Sequence, residues 1–65
     1  MPSSVIRAFA YDPDTQSLAI EFMTGRRYRY DSVPLRIVEA MRNARSKGQF
    51  FNRRIRDRFT TTEIG

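Results

Sequence analysis

Apolar and polar positions alternate through the first half of the chain, and a helical period replaces that alternation in the second. Residues 5–11 are rich in β-branched and aromatic side chains and run into Asp12-Pro13-Asp14, where Asp suits the first turn position and Pro the second. Leu18-Ala19-Ile20-Glu21-Phe22 repeats at period two, as a half-buried strand does. Thr24-Gly25 marks another turn, and residues 27–30 alternate again. Three strands in a meander are expected.

Turn chemistry selects the register of the second hairpin. A two-residue Thr24-Gly25 loop demands positive φ from a β-branched Thr, which is unfavourable. A three-residue loop, Met23-Thr24-Gly25 with Gly25 left-handed, avoids that strain. It pairs Ile20 with Tyr28, Leu18 with Tyr30 and Glu21 with Arg27, so the apolar residues share one face and opposite charges meet on the other. The first hairpin stays open, because Ile6, Ala8 and Ala10 or Phe9 and Tyr11 can form the inner set.

Helical spacing begins after residue 31. Asp31 or Ser32 can cap a helix with Pro34 in its first turn, a tolerated place for proline. Ile37, Ala40, Met41 and Ala44 follow the i, i+3, i+4, i+7 template, with Val38 beside them. Ser46-Lys47-Gly48-Gln49 has the form of a capping box opening a second helix. Phe51 and Ile55 lie one turn apart on its inner face, and Phe59 continues that line. Thr60-Thr61-Thr62 favours an extended tail or a short edge strand. The expected fold is α+β: a three-stranded antiparallel meander packed against two helices, with that short C-terminal edge strand as an option. One domain fills residues 1–65, with an ordered core over about 4–59 and mobile ends.

Composition narrows the chemistry. The chain has no Cys and no His, which excludes disulfides, thiolate chemistry, the common zinc sites and the Ser-His and Cys-His nucleophile systems. Asp12 and Asp14 are explained by their turn, and Glu39 can support Arg36 or Arg42 at helical spacing. No nucleophile–base constellation appears, so no enzyme, cofactor or metal is expected. There is no apolar run of membrane-spanning length and no signal-peptide layout, and the expected setting is the cytoplasm.

Charge carries the rest. The net charge is +5, and eleven of the twelve basic residues are Arg. Residues 1–25 net −2, whereas residues 26–58 hold eleven bases against Asp31, Glu39 and Asp57. Guanidinium groups suit bidentate phosphate contact, so the pattern points to a polyanion, foremost RNA. The expected contacts are Arg27 and Arg29 on the outer sheet face, then Lys47, Asn52, Arg53 and Arg56 on the second helix. Arg53 can instead pair with Asp57, four residues on. This reading requires the arginines of the two stretches to converge. The alternative is a solvated surface on a protein-interaction or homodimerisation module, with Ile6, Ala8, Ala10 and Ala19 as a mild apolar patch. Tyr28 and Tyr30 could stack on bases, but the favoured register lines the core with them, a structural role.

The ordered residues Ser4, Ile6, Tyr11-Asp12, Leu18, Phe22, Gly25, Tyr28-Arg29-Tyr30, Val33-Pro34, Ala44, Ser46, Gly48, Phe51-Asn52 and Ile55-Arg56 resemble the KTSC domain family. That family occurs at the C-terminus of some lysyl-tRNA synthetases and as stand-alone bacterial proteins of about this size. The resemblance implies a central Tyr-x-Tyr motif and RNA binding, the latter from the synthetase context, and it carries no activity. Here threonines follow Phe59, where the family pattern has a second aromatic-rich stretch.

Overall fold

A computed structural model describes residues 5–65; Ser4, the expected start of the ordered core, lies outside the described residues. Three strands form the expected meander, β1 (Ile6–Asp12), β2 (Ser17–Phe22) and β3 (Arg27–Tyr30). Two helices follow, α1 (Leu35–Arg42) and α2 (Lys47–Arg54), and β4 (Thr61–Glu63) closes the chain. The antiparallel sheet has the order β1-β2-β3-β4.

The β2–β3 register is the one turn chemistry selects. Leu18 faces Tyr30, Ile20 faces Tyr28 and Glu21 faces Arg27. Gly25 adopts φ +94°, a conformation glycine enters without steric penalty, and its N–H donates to the Phe22 carbonyl at 2.9 Å. In the first hairpin, Tyr11 faces Leu18, Phe9 faces Ile20 and Ile6 faces Phe22. A bulge between Ile6 and Ala8 makes this possible, because the extra residue resets the alternation. Ile6 therefore joins the inner set with Phe9 and Tyr11, while Ala8 and Ala10 face outward. The Asp12 carboxylate accepts from the Asp14 N–H at 3.0 Å, closing the turn its sequence signals.

β4 lies against β3, with Tyr30 facing Thr61 and Tyr28 facing Glu63. The Asp31 N–H donates to the Thr60 carbonyl (2.9 Å), and the Ile64 N–H to that of Arg27 (2.9 Å). The ordered sheet thus runs beyond residue 59, and β3 becomes an interior strand.

The helix boundaries show two departures. Pro34 occupies the N-cap of α1, with no side-chain cap bond. The Asp31 carboxylate is held by Arg29 instead, and Ser32 sits at φ +59°. The buried stripe of α1 runs through Val38 and Met41 with Ile37 half-buried, while Ala40 is exposed. α2 starts as its capping box predicts, Ser46 Oγ accepting from the Gln49 N–H at 3.2 Å. It ends at Arg54, short of Phe59; Asp57 at φ +62° turns the chain toward β4.

Both helices cover one face of the sheet. Leu18, Ile20, Val33, Val38, Met41 and Ile55 are fully buried between the layers, joined by Ile6, Tyr30 and Phe51. Tyr11 ties the layers at one end, its hydroxyl donating to the Val33 carbonyl at 2.6 Å. In a domain this small, Ile55→Ala should cost about 2–5 kcal/mol, a large share of the total stability. Urea denaturation followed by circular dichroism should show the midpoint collapse toward zero denaturant, whereas Ala40→Ser on the exposed side of α1 should leave it nearly unchanged.

Candidate nucleic-acid interface

Side chains on β3 alternate between the two faces of the sheet. Tyr28 and Tyr30 point toward the helices, which sends Arg27 and Arg29 to the open face. Arg29 is engaged there, its Nε lying 3.1 Å from Asp31 Oδ1. Glu21 and Arg27 are register partners, yet no ion pair joins them among the described residues. The Arg27 guanidinium packs instead beside the Gly65 backbone, where an added Cβ would meet its Nη2 at 2.8 Å.

The tyrosines belong to an aromatic chain. Phe51 of α2 packs edge-on against both Phe22 (centroids 5.3 Å apart) and Tyr30 (5.5 Å), and Phe22 meets Tyr28 at 5.7 Å. Tyr30 is buried and Tyr28 half-buried, so the two do not present a shared stacking surface. Burial raises the Tyr30 phenol above its ordinary value, with Tyr28 and Asp57 acting in the same direction and Arg56 against them. Arg26, at the end of the β2–β3 loop, has its charged form favoured by the Tyr28 hydroxyl and by Glu63.

α2 and the turn after it carry the second basic group. Asn52, Arg53 and Arg56 are exposed and line a shallow depression with Asp57 and Arg58. Arg56 Nη1 approaches Asn52 Oδ1 at 3.5 Å. A neighbouring depression brings in Arg45 and Arg54 beside Phe50 and Arg53, with the Arg54 guanidinium 5.8 Å from the Phe50 ring centre. Arg45 was not among the expected contacts; it sits at the α1–α2 junction, where no helical period indicates its direction. Arg54 lies four residues after Phe50, a spacing that could have signalled the stack.

Lys47 turns back toward α1, its Nζ donating to the Arg42 carbonyl at 3.4 Å. It contributes to closing the first helix, where a cation favours the carbonyl end. Arg53 and Asp57 form no ion pair among the described residues, because the helix stops before Asp57 and the i, i+4 geometry is lost. The ion pairs among the described residues are Arg29–Asp31 and Glu39–Arg42.

The two arginine groups do not converge. Arg27 and Arg29 lie on the open sheet face, and Asn52, Arg53 and Arg56 on the helical layer, with the core between them. Ile6 is also absent from the outer patch, leaving Ala8, Ala10 and Ala19 there. Among the described residues, no cluster of His, Cys, Asp or Glu could hold a metal ion, and no helix is long and apolar enough to cross a membrane.

These features define a small α+β domain with a four-stranded antiparallel sheet, two helices on one face and a basic helical surface. The chain belongs to the KTSC domain family, whose profile matches residues 2–59. It is 46% identical over 61 residues to a lysine–tRNA ligase of a Nostoc species, covering 94% of this chain and 11% of that enzyme. It therefore spans about a tenth of the length of such ligases. An uncharacterised protein from Stutzerimonas stutzeri is 44% identical over 52 residues, covering 80% of this chain and 73% of that one. The crystal structure of a KTSC domain protein from Yersinia pestis superimposes with a TM-score of 0.91 at 37% identity, covering 100% of this chain and 94% of that one.

Tyr30 supplies a test of the aromatic chain. A phenol whose pKa is raised on folding contributes stability that is complete below about pH 10 and fades as pH climbs through the folded value. Thermal melts of the parent should lose stability in that alkaline window more steeply than melts of Tyr30→Phe, which keeps the ring and removes the ionisation. Parallel curves would contradict the buried phenol.

Proposed function

We propose that this domain binds RNA through arginine–phosphate contacts on the surface of α2 and the turn that follows it. The observation carrying this reading is the gathering of Arg45, Arg53, Arg54, Arg56 and Arg58 along one side of the helical layer, none in an ion pair among the described residues. Asn52 is the polar contact to sugar or base, and Arg56 lies close enough to orient its amide. Arginine forks neutralise phosphates without reading sequence, so affinity should depend weakly on base composition. The match to lysine–tRNA ligases supports RNA as the polyanion, since those enzymes act on tRNA. Arg27 and Arg29 fall outside this footprint, as does Lys47.

Five phosphate contacts predict that log affinity falls with log salt at a slope of about −3.5 on single strands. Fluorescence anisotropy of a labelled oligoribonucleotide at several salt concentrations measures it. Arg53→Ala with Arg56→Ala should flatten the slope by about 1.4, while Arg27→Gln should leave it unchanged. No binding at low salt, or equal losses from both sets of variants, would end the proposal.

Self-association through the open sheet face is a second reading. Ala8, Ala10 and Ala19 leave that face low and uncovered, and a small core gains stability by pairing. Light scattering across a concentration series, with Ala19→Glu as the disrupting variant, separates the two readings.

A further inference from the structure

At the β2–β3 turn end of the sheet, a largely apolar notch opens to solvent, lined by Val5, Phe22, Met23, Thr24, Arg26 and Tyr28. Val5, Met23, Leu35 and Ile64 are the exposed large apolar side chains among the described residues. Met23 is 62% exposed and Val5 47%, and both rim this notch. Its walls are the Phe22 and Tyr28 rings, inclined at 74° to one another with centroids 5.7 Å apart. That corner presents aromatic surface from two rings to whatever enters the notch. The Phe22 ring that walls the notch also packs against Phe51 of α2.

We propose that this notch receives one unpaired nucleobase of the strand whose phosphates lie along α2, an inference that rests on the function proposed above. The lining favours a planar aromatic guest over an anion, because it is largely apolar and walled by two rings, with Arg26 as its one charged side chain. Arg26 then serves as a planar donor to the base edge. Met23, unbranched and polarizable, closes over bases of different size, so the site holds any base. The Tyr-x-Tyr motif thereby divides its work: Tyr30 belongs to the core and Tyr28 to the ligand.

The test compares three probes on the full chain: a single-stranded oligoribonucleotide, a strand of the same length abasic at every position, and inorganic polyphosphate. The native protein should bind the base-bearing strand about tenfold more tightly than the abasic one, within the range of one stacked base. Met23→Ser with Val5→Ser should shrink that preference below about threefold and leave affinity for the abasic strand and for polyphosphate unchanged. The base-bearing strand should also quench tyrosine emission, and Tyr28→Phe should abolish that quench. Equal affinity of the native protein for both strands, or a preference that survives the double variant, overturns the base site and leaves the α2 reading standing. Failure to bind any of the three probes overturns both. Loss of self-association in the double variant with base preference intact marks the notch as a protein contact and also overturns the proposal.

Discussion

Phe51 couples the two layers of the domain. Its ring meets Phe22 and Tyr30 edge-on, and these come from neighbouring strands whose register is fixed at Gly25. A slip of one residue in that hairpin would turn Tyr28 and Tyr30 to the open face and bring Arg27 and Arg29 inward. Phe51 would then face guanidinium groups, and burying such charges unpaired is far costlier than any single contact here is favourable. The seat of α2 and the outward aim of its arginines therefore depend on the two ring contacts of Phe51 and the turn that sets the register beneath them.

Much of this was legible where local chemistry and tertiary packing agree. Gly25 allowed one unstrained loop, and Ser46 with Gln49 marked the start of α2. The first hairpin was not legible, because a bulge at Arg7 has no residue signature in this chain and lets both candidate faces contribute to the core. Asp31 does not cap α1, because it has a competing partner in Arg29, two residues earlier in the chain. Helical spacing carried α2 too far, because Asp57 takes the left-handed conformation that ends a helix more often with Gly or Asn, yet Ile55 and Phe59 still reach the core as that spacing predicts.

The candidate interface was legible as a composition and not as a surface. Counting arginines between residues 26 and 58 gives a strong charge, but strand alternation and the helical layer send that charge to opposite sides of the molecule. Arg29 and Arg42 have carboxylate partners, and Lys47 turns to a helix end. Five of the eleven basic residues in that stretch, Arg45, Arg53, Arg54, Arg56 and Arg58, gather beside α2, and only Arg53 and Arg56 belong to the set the sequence suggested. An interface of this kind tracks a backbone and tolerates many sequences. In the proposed reading, the neighbouring aromatic corner is what would separate a nucleic-acid strand from any other chain of phosphates.

The bulge at Arg7 also sets what this stretch of β1 can tolerate. Its side chain is exposed, so many residue types would fit there. The position itself has to be occupied, because it acts as a spacer that keeps Ile6 and Phe9 on the same side. Removing one residue from that stretch would disturb the fold more than most substitutions within it, and tolerance at this site is governed by chain length instead of by chemical identity.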